Sequence, residues 1–475
     1  MSISSALNNA NSGLAASARA VQVASSNIAN VLTPGYAARR LDLASSSLGG
    51  VGSGVRVAGT TRIVDPVVLG MHRDAGASAS AGGTSASFWN RIQSAIGLTG
   101  EGLSSAMSGF ESALISASER PDLESRLSGI VNNANALVSK LGQIEDAVQQ
   151  TRVEADNNIA VDVKALNEGL QRVDTLNDQI IKMKMSGQST LGLEDERQSV
   201  ISTLSEIVPM REYPRDNGRV MLYSTNGELL LDTQPVTFGF TQTVAIDASM
   251  SNGSGLSGLT INGRAISTTE TGPLGGGRLS TNFNIRDVDA PGVQAEIDAF
   301  ASDLISRFAD PATDATLAGG PGLFTDAGTL DTGVAGLAGR LAVNTAVDPS
   351  AGGALWRLRD GIGAAAAGPV GDATQINNLM GALDRSISSG PGAPMRDVAG
   401  NLGGLLTSIS TARQGAEDSA TTAQTRFNTL NDSLLEQGVD TDAEMQRLLL
   451  IEEAYAANAR VISTADAMLR TLLEI

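Results

Sequence analysis

Cysteine is absent from this chain of 475 residues, so disulfide bonds and thiolate metal sites are excluded. Aromatic residues make up only 3% of the sequence, and Trp89 and Trp356 are the only tryptophans. Any core must therefore be built from Leu, Ile, Val and Ala, which favours long helical layers. His72 is the single histidine and stands apart from any catalytic motif, so Ser-His-Asp chemistry would depend on it alone.

Positive charge and long apolar runs are scarce as well. The 33 Lys and Arg residues face 51 Asp and Glu residues, which gives a net charge of −18. An acidic surface repels a phosphate backbone, so we predict no binding to nucleic acid. No stretch of about twenty apolar residues is present, so no membrane insertion is predicted. The N-terminus lacks the basic and apolar regions of a Sec-type signal peptide.

Motifs for catalysis, cofactors and metals are also missing, so we predict no enzyme activity, no cofactor and no metal site. The glycine-rich residues 49–57 match neither the G-x-G-x-x-G pattern nor the P-loop pattern. We interpret them as a turn that leads into a short strand, residues 55–57. Asp440, Asp442 and Glu444 begin like a calcium loop but lack its later glycine and glutamate, so helix capping explains them better.

Apolar residues recur every seven positions near both ends of the chain: Leu7, Leu14, Val21, Ile28, Leu448, Tyr455, Ile462 and Leu469. This spacing places one apolar stripe along one side of an α-helix, as coiled coils require. Small residues separate these positions in the first segment, so neither helix is expected to be stable alone. We predict that the eight residues form an assembly interface, with the other terminus or with another copy of the chain.

The first half of the chain is patterned as helix. A first helix is predicted over residues 3–30, and the turn sequence at 33–36 ends it. The small polar residues 74–87 form either a flexible linker or a helix with few packing residues. From Phe88 to Ile207, apolar residues recur three or four apart, which is typical of amphipathic helices whose polar positions face solvent.

The patterning then changes from helix to strand. Asn217-Gly218 and Asn226-Gly227 indicate hairpin turns. We therefore predict an elongated, multidomain α+β fold with terminal coiled-coil helices, a long helical bundle and an inserted β-rich domain. The predicted domains are a terminal coiled coil (1–60 with 420–475), a helical rod domain (61–208 with 386–419) and a β-rich outer domain with some helix (209–385).

Several short segments resemble the signatures of one known family, the flagellar rod, hook and hook-associated axial proteins. These segments are residues 26–31, 33–36, 52–57 and 62–65 near the N-terminus, and 438–444 and 454–462 near the C-terminus. The family motif covers Asn27, Asn30, Pro34, Gly35 and Tyr36. Glu452-Glu453 departs from the family, which often has Gln there, and this departure alters the charge of one packing surface.

Within this family, the middle of the chain is similar to a component of the hook–filament junction. The similarity rests on Gly276-Gly277-Arg278-Leu279 before a helix, on Gly322-Leu323-Phe324 and on residues 341–344. The Asn and His that the family places shortly before Gly-Leu-Phe are not evident, and residues 307–314 stand there instead.

The resemblance implies a structural subunit that assembles at the hook tip and joins the hook to the filament. It implies export through the flagellar type III channel without a cleaved signal peptide, and an extracellular location. The implied partners are further copies of the chain, the hook protein, the second hook–filament junction protein and a flagellar export chaperone. The alternatives are a hook or distal rod protein of the same family, an extracellular adhesin or enzyme that carries axial termini, and a cytosolic coiled-coil scaffold.

Overall fold

The computed structural model describes residues 3–33, 35–48, 51–97, 102–388 and 394–473. The chain forms two compact units. Unit 1 comprises Met1–Ser78, Ala165–Val236 and Ala423–Ile475, and unit 2 comprises Ala79–Lys164 and Thr237–Thr422. Both units combine helices with small sheets, so the predicted α+β class is confirmed. The predicted three-domain division stays a prediction.

The helices in chain order are α1 (Ile3–Ala29), α2 (Pro66–Ile96), α3 (Leu103–Glu119), α4 (Glu124–Met185), α5 (Leu191–Ile207), α6 (Arg278–Asn284), α7 (Ala290–Ala309), α8 (Leu337–Arg340), α9 (Arg357–Asp360), α10 (Thr374–Asp384), α11 (Val398–Glu436) and α12 (Thr441–Leu473). A π-helical turn, Ile285–Asp289, joins α6 to α7. Helices α2, α4 and α11 contribute residues to both units.

The strands are β1 (Arg39–Leu48), β2 (Val51–Arg62), β3 (Met210–Pro214), β4 (Val220–Ser224), β5 (Leu229–Leu231), β6 (Phe238–Gly239), β7 (Ser251–Asn252), β8 (Gly255–Leu256), β9 (Leu259–Ile261), β10 (Arg264–Ile266), β11 (Phe324–Asp326), β12 (Leu341–Val343), β13 (Ile387–Ser388) and β14 (Met395–Arg396). The sheets have two or three strands each. Their orders are β1-β2, β3-β4-β5, β10-β9-β6, β7-β8, β11-β12 and β13-β14.

The long helices follow the apolar spacing of the sequence. Residues 74–87 lie inside α2, so the flexible-linker alternative is wrong. Helix α4 runs unbroken for 62 residues, with Glu124 in its first turn and Lys182 and Lys184 in its last. These charges complement the helix dipole at both ends. In the described ranges, no helix is both long enough and apolar enough to cross a membrane.

Unit 1 contains a long β-hairpin that the sequence analysis did not predict. Strands β1 and β2 pair antiparallel from Arg39 opposite Arg62 to Leu48 opposite Val51, so the expectation of only a short strand at 55–57 is wrong. A Cβ on Gly54 would lie 2.1 Å from the Ser12 hydroxyl oxygen, and the φ of Gly54 is +98°. Glycine at position 54 therefore permits both this positive φ and the close approach of the hairpin to α1.

The small sheet β3-β4-β5 of unit 1 confirms both predicted hairpin turns. Asn217 and Gly218 adopt φ values of 59° and 86° between β3 and β4, and Gly227 adopts 96° between β4 and β5. Asn and Gly enter this left-handed region at little cost, so these residue types set the turns.

The core of unit 2 has aromatic residues at its centre despite their scarcity. Phe110 of α3, Phe308 of α7 and Phe324 of β11 are fully buried, and their ring centroids lie 5.2 to 5.9 Å apart in edge-to-face contacts. Leu, Ile, Val and Ala residues of α2, α4, α10 and α11 surround them. The three phenylalanines thus pack α3 against α7 and β11, which come much later in the chain.

Some polar positions of α4 are buried in unit 2, which corrects the expectation that such positions face solvent. Arg152, Asp156 and Asp162 are 1%, 0% and 3% exposed. Arg152 donates to the carbonyls of Asp247, Met250 and Arg286, at 2.8, 2.6 and 3.0 Å. One buried guanidinium therefore satisfies backbone groups of three separate positions in the chain, as burial of a charge requires.

A carboxyl group in unit 2 predicts a pH dependence of stability. Burial, and next the nearby charge of Asp298, raise the pKa of Glu145 from 4.5 to about 7. Asp298 itself accepts from the backbone N–H groups of Gly336 and Ala338, so it is held in place. Because the folded pKa lies above the unfolded one, the stability that Glu145 contributes is full below about pH 4.5. It is lost as the pH rises through about 7.

Glu145→Gln should remove this dependence. The variant keeps the shape of the side chain but cannot ionise, so we expect its melting temperature to fall less than that of the parent chain between pH 5 and pH 8. The gain at pH 8 should be on the order of 1 kcal/mol, since solvent partly screens the group. Parallel pH profiles of the two chains, measured by calorimetry, would refute the assignment.

Candidate assembly site

The terminal helices of unit 1 pack against each other in antiparallel orientation. Gly13 of α1 lies against Asn458 of α12, and a Cβ on Gly13 would be 2.7 Å from the side-chain nitrogen of Asn458. Asn27, further along α1, contacts Glu444, near the beginning of α12. Since residue numbers rise along one helix while they fall along the other, the two chain ends form one antiparallel pair.

Asn27 is the centre of a hydrogen-bond network, and its side chain is 0% exposed. Its amide nitrogen donates to the Arg39 carbonyl at 2.9 Å and to Glu444 Oε1 at 2.8 Å. Its amide oxygen accepts from the Tyr36 hydroxyl at 2.9 Å and from the Arg39 N–H at 3.0 Å. An amide has two donor hydrogens and two acceptor positions, and all four are used. One residue therefore joins α1, the hairpin and α12.

The other motif residues shape the turn that leads from α1 into the hairpin. The Asn30 side chain donates to the Ser26 carbonyl at 2.9 Å, which satisfies a backbone group at the end of α1. Gly35 adopts a φ of +79° and lies close to Ser199 of α5. Pro34 lies outside the described residues. The signature thus acts through geometry: it ends a helix, turns the chain and places Tyr36 beside Asn27.

Asp195 of α5 anchors the hairpin, and the sequence analysis did not single it out. Its carboxylate accepts from Arg39 Nη2 at 3.0 Å and from Arg62 Nε at 2.8 Å. These two arginines stand opposite each other on β1 and β2. The Arg39 guanidinium also lies 4.8 Å from the centre of the Tyr36 ring. In the sequence, a need for a negatively charged partner could be inferred only from Arg39 and Arg62, which stand on either side of the glycine-rich residues 49–57.

The predicted interface residues occupy two kinds of position. Leu7, Leu14, Ile28, Leu448 and Ile462 are half-buried, whereas Val21, Tyr455 and Leu469 are exposed. Small residues between the heptad positions are buried instead: Ala10, Ala16, Ser17, Ala24 and Ala465. The contact within the chain therefore depends on close approach of small residues, and the role of the eight heptad residues in assembly stays a prediction.

Asp440 and His72 have structural roles in unit 1. Asp440 caps α12, because its Oδ1 accepts from the backbone N–H groups of Asp442 and Ala443 at 2.9 and 3.0 Å. This confirms the capping interpretation.

The ring of His72 packs on the ring of Phe427, with the ring centroids 4.7 Å apart. Burial, and next the charge of Arg73, lower the pKa of His72. The imidazole is therefore neutral at pH 7 and acts as a packing group.

Three families match consecutive parts of the chain. Residues 7–36 match the flagella basal body rod protein family, and residues 433–475 match the C-terminal region of the flagellar basal body rod FlgEFG proteins. Residues 89–323 match the helical domain of the flagellar hook-associated protein FlgK. The two terminal matches cover most of α1 and all of α12, and the third begins in α2 and ends just before β11.

Similar proteins carry related names. The flagellar hook-associated protein 1 of Bacillus subtilis is 23% identical over 98% of this chain and 96% of its own length. The Salmonella typhimurium protein of the same name is 27% identical, over 48% of this chain and 43% of its own. The solved hook junction protein FlgK from Burkholderia pseudomallei covers 54% of this chain and 46% of its own, with 20% identity. Its TM-score of 0.45 is too low to support an argument about architecture.

The antiparallel terminal helices, the motif around Asn27 and the two terminal matches define an axial structural protein of the bacterial flagellum. Within that class, the helical-domain match and the full-length relative make the chain similar to the hook-associated protein 1 family. The family is one of structural proteins that assemble with other axial components of the flagellum.

Proposed function

We propose that this chain assembles at the tip of the flagellar hook and joins the hook to the filament. The observation that carries the proposal is the outer surface of the terminal helix pair in unit 1. Leu449, Leu450 and Met468 of α12 are 61%, 66% and 53% exposed. Large apolar side chains on one helix gain free energy when another protein covers them.

The mechanism we propose is burial of this apolar surface by neighbouring subunits. The helix pair supplies a docking element, because Asn27 joins α1 to the hairpin and to α12, and Asp195 fixes the hairpin to α5. Lateral packing would offset the entropy lost when the terminal helices become ordered in the assembly. The three predicted domains, 1–60 with 420–475, 61–208 with 386–419, and 209–385, belong to this proposal.

The partners we propose are further copies of the chain, the hook protein, the second hook–filament junction protein and a flagellar export chaperone. The proposed location is the extracellular hook–filament junction, reached by type III export without a cleaved signal peptide. The net charge of −18 opposes binding to nucleic acid, which fits a role confined to protein partners.

The function is tested by immunogold labelling of intact flagella with an antibody raised against residues 209–385. We expect one discrete band of gold between hook and filament. Gold along the hook or rod would support an axial protein but contradict the proposed role at the junction. Gold only inside the cells would remove the assembly function and favour a cytosolic scaffold.

Ile462→Asp should abolish incorporation into flagella. Ile462 is half-buried in unit 1, so a carboxylate there would be partly desolvated in the helix pair. We expect gold-labelled junctions to fall at least tenfold, while hydrogen exchange of the unit 2 core stays as in the parent chain. Ser463→Asp is the matched control, because Ser463 is the next residue and is exposed. Equal incorporation of both variants would contradict the role of the terminal pair.

A further inference from the structure

We infer that unit 2 contains a binding site for a neutral, polyhydroxylated ligand of the size of one sugar ring, in the cavity between α2, α4 and α6. The cavity has a volume of about 270 Å³. Asn282 of α6 is the lining residue on which the inference depends. The site lies within unit 2 and does not depend on the proposed role at the hook–filament junction.

The Asn282 side chain is buried without a hydrogen-bond partner. The residue is 3% exposed, and within the described ranges no group of the chain bonds to its amide. A buried amide without hydrogen bonds costs free energy, so buried polar groups normally find a partner in the protein, in water or in a ligand. Since Asn282 lines the cavity, a molecule bound there can supply the missing hydrogen bonds.

Two buried ion pairs hold Asn282 against α4. Arg278, four residues before it, donates to Asp162 at 2.9 Å, and Arg286, four residues after it, donates to Asp156 at 2.7 Å. Both aspartates belong to α4 and are 3% and 0% exposed. Residues four apart lie on one face of a helix, so Asn282 is on the face that meets α4. A polar group fixed in this way is preorganised, because binding a ligand costs little further ordering.

The start of α6 is fixed by the glycine segment that the sequence analysis singled out. Gly276 adopts a φ of +96°, and its N–H donates to the Ser280 hydroxyl oxygen at 3.2 Å. The Ser280 hydroxyl in turn donates to the Gly277 carbonyl at 2.9 Å. These bonds close the turn that leads into α6, so Gly276-Gly277-Arg278-Leu279 places the Asn282 amide in the wall of the cavity.

The hydroxyl groups that line the cavity act as acceptors. Thr84, Ser87 and Thr151 each donate to the backbone carbonyl four residues earlier in the same helix, at 2.8, 2.7 and 2.7 Å. A hydroxyl has one hydrogen, so these oxygens are left with lone pairs that can only accept. A ligand that fits them must donate hydrogen bonds, as alcohol groups do.

The charges that line the cavity are balanced. Arg91 of α2 and Glu154 of α4 form an ion pair with each other, and among the residues that the structure describes they are the only charged ones in the lining. A charged ligand would have to compete with this pair or remain unpaired in a partly buried place, which is costly. A neutral ligand avoids both costs.

A ring with hydroxyl groups on adjacent carbons matches the rest of the lining. Phe88, Ala155 and Ile285 give an apolar surface that can cover the C–H groups of such a ring. The Asn282 amide carries a donor nitrogen next to an acceptor oxygen, and two adjacent hydroxyls present an acceptor and a donor in return. Ligand pockets usually measure about 300–1,000 Å³, so this smaller cavity suits one ring better than a longer chain.

Saturation-transfer NMR on the full chain tests the inference. The probes are the methyl α-pyranosides of glucose, mannose and galactose, and cyclohexanol serves as a ring with a single hydroxyl. We expect at least one glycoside to bind with a Kd on the order of 1 mM, as a small ligand does, and cyclohexanol to bind at least tenfold more weakly. If no glycoside binds, the cavity holds only water and the inference fails. Cyclohexanol that binds as well as the best glycoside also overturns it.

Asn282→Leu separates a ligand-binding amide from a structural one. Leucine has nearly the same size but cannot form hydrogen bonds, so we expect glycoside binding to weaken at least tenfold. The melting temperature should stay the same or rise, because no hydrogen bond within the described chain is lost. A lower melting temperature would show that the protein itself uses the amide, and would overturn the inference. Asn378→Leu is the matched control and should bind like the parent chain, since Asn378 is exposed on α10 and outside the lining.

Ser87→Ala gives a second test that does not touch the core. Ser87 is exposed, and the change removes one acceptor, so we expect glycoside binding to weaken about threefold at an unchanged melting temperature. Parent-like binding in both Ser87→Ala and Asn282→Leu would overturn the site. Gold labelling of flagella that carry Asn282→Leu should match that of the parent chain. Failure of the sugar site therefore leaves the proposed function standing, and gold outside the junction leaves the sugar site standing.

Discussion

Asn27→Asp is expected to abolish incorporation into flagella and to release α1 from α12. The change keeps the size of the side chain but removes both donor hydrogens, so the Arg39 carbonyl and Glu444 lose their partner. It also places a second carboxylate beside Glu444, at a position that is 0% exposed. Unsatisfied buried groups and like charges at such a site cost about 3–5 kcal/mol. Because small residues form the contact of the helix pair, little apolar burial offsets this loss.

Two measurements check this result. Hydrogen exchange in α1 and α12 should speed up in the variant while exchange in unit 2 stays unchanged, and gold-labelled junctions should fall at least tenfold. Asn30→Ala is the matched control: it removes two hydrogen bonds at the end of the same helix, to the Ser26 carbonyl and from the exposed Thr33 hydroxyl, and should cost only about 1 kcal/mol. Full incorporation of Asn27→Asp would show that the network around Asn27 is dispensable.

A second-site change sharpens the test. Glu444→Gln in the Asn27→Asp background removes the repulsion between carboxylates and restores a hydrogen bond in the opposite direction, from position 444 to position 27. We expect partial recovery of incorporation, because the Arg39 carbonyl still lacks its donor. Glu444→Gln alone should be mild. Recovery in the double variant would show that positions 27 and 444 contact each other directly. Two independent defects would instead add, and the double variant would not recover.

Local features of the fold could be predicted because neighbouring residues determine them. The φ values of Asn217 and Gly218 follow from residue type, as does the capping of α12 by Asp440. The first helix ends at Ala29, one residue before the predicted end and shortly before the turn sequence at residues 33–36. In each case the physical cause lies within a few residues of its effect.

The contacts of the assembly site could not be predicted, because they join distant parts of the chain. The sequence marked Asn27 as a motif residue, but its partner Glu444 lies 417 positions away. Asp195 reaches Arg39 from 156 positions away. The hairpin escaped notice because Gly52, Gly54 and the serines of β1 weaken strand propensity, and pairing along its length stabilises it instead.

Periodicity was also misleading about buried charge. Arg152 and Asp156 occupy polar positions of α4, which a helical pattern assigns to solvent. In unit 2 the residues around Thr243 and Asp247 contact that face, and both side chains are buried. A sequence pattern distinguishes the apolar side of a helix, but it contains no information on what covers the polar side.

Unit 2 should lose a large part of its stability in Arg286→Met. Arg286 is 0% exposed and donates to Asp156 at 2.7 Å, to Asp287 at 2.8 and 2.9 Å, and to the Ser257 carbonyl at 3.0 Å. Methionine fills much of the volume but leaves the Asp156 carboxylate buried with only the Thr243 N–H as donor. Breaking a buried ion pair on one side costs about 3–5 kcal/mol, because the remaining charge has no compensation.

This cost should lower the melting temperature of unit 2 on the order of 10 °C in calorimetry of the full chain. Arg120→Met is the control: it removes an exposed ion pair with Asp122 and should leave the melting temperature unchanged. Adding Asp156→Asn to Arg286→Met removes the stranded charge but keeps an acceptor for Thr243. We expect the double variant to melt higher than Arg286→Met alone. If it melts lower, the penalty arises from lost packing around the guanidinium and not from an uncompensated carboxylate.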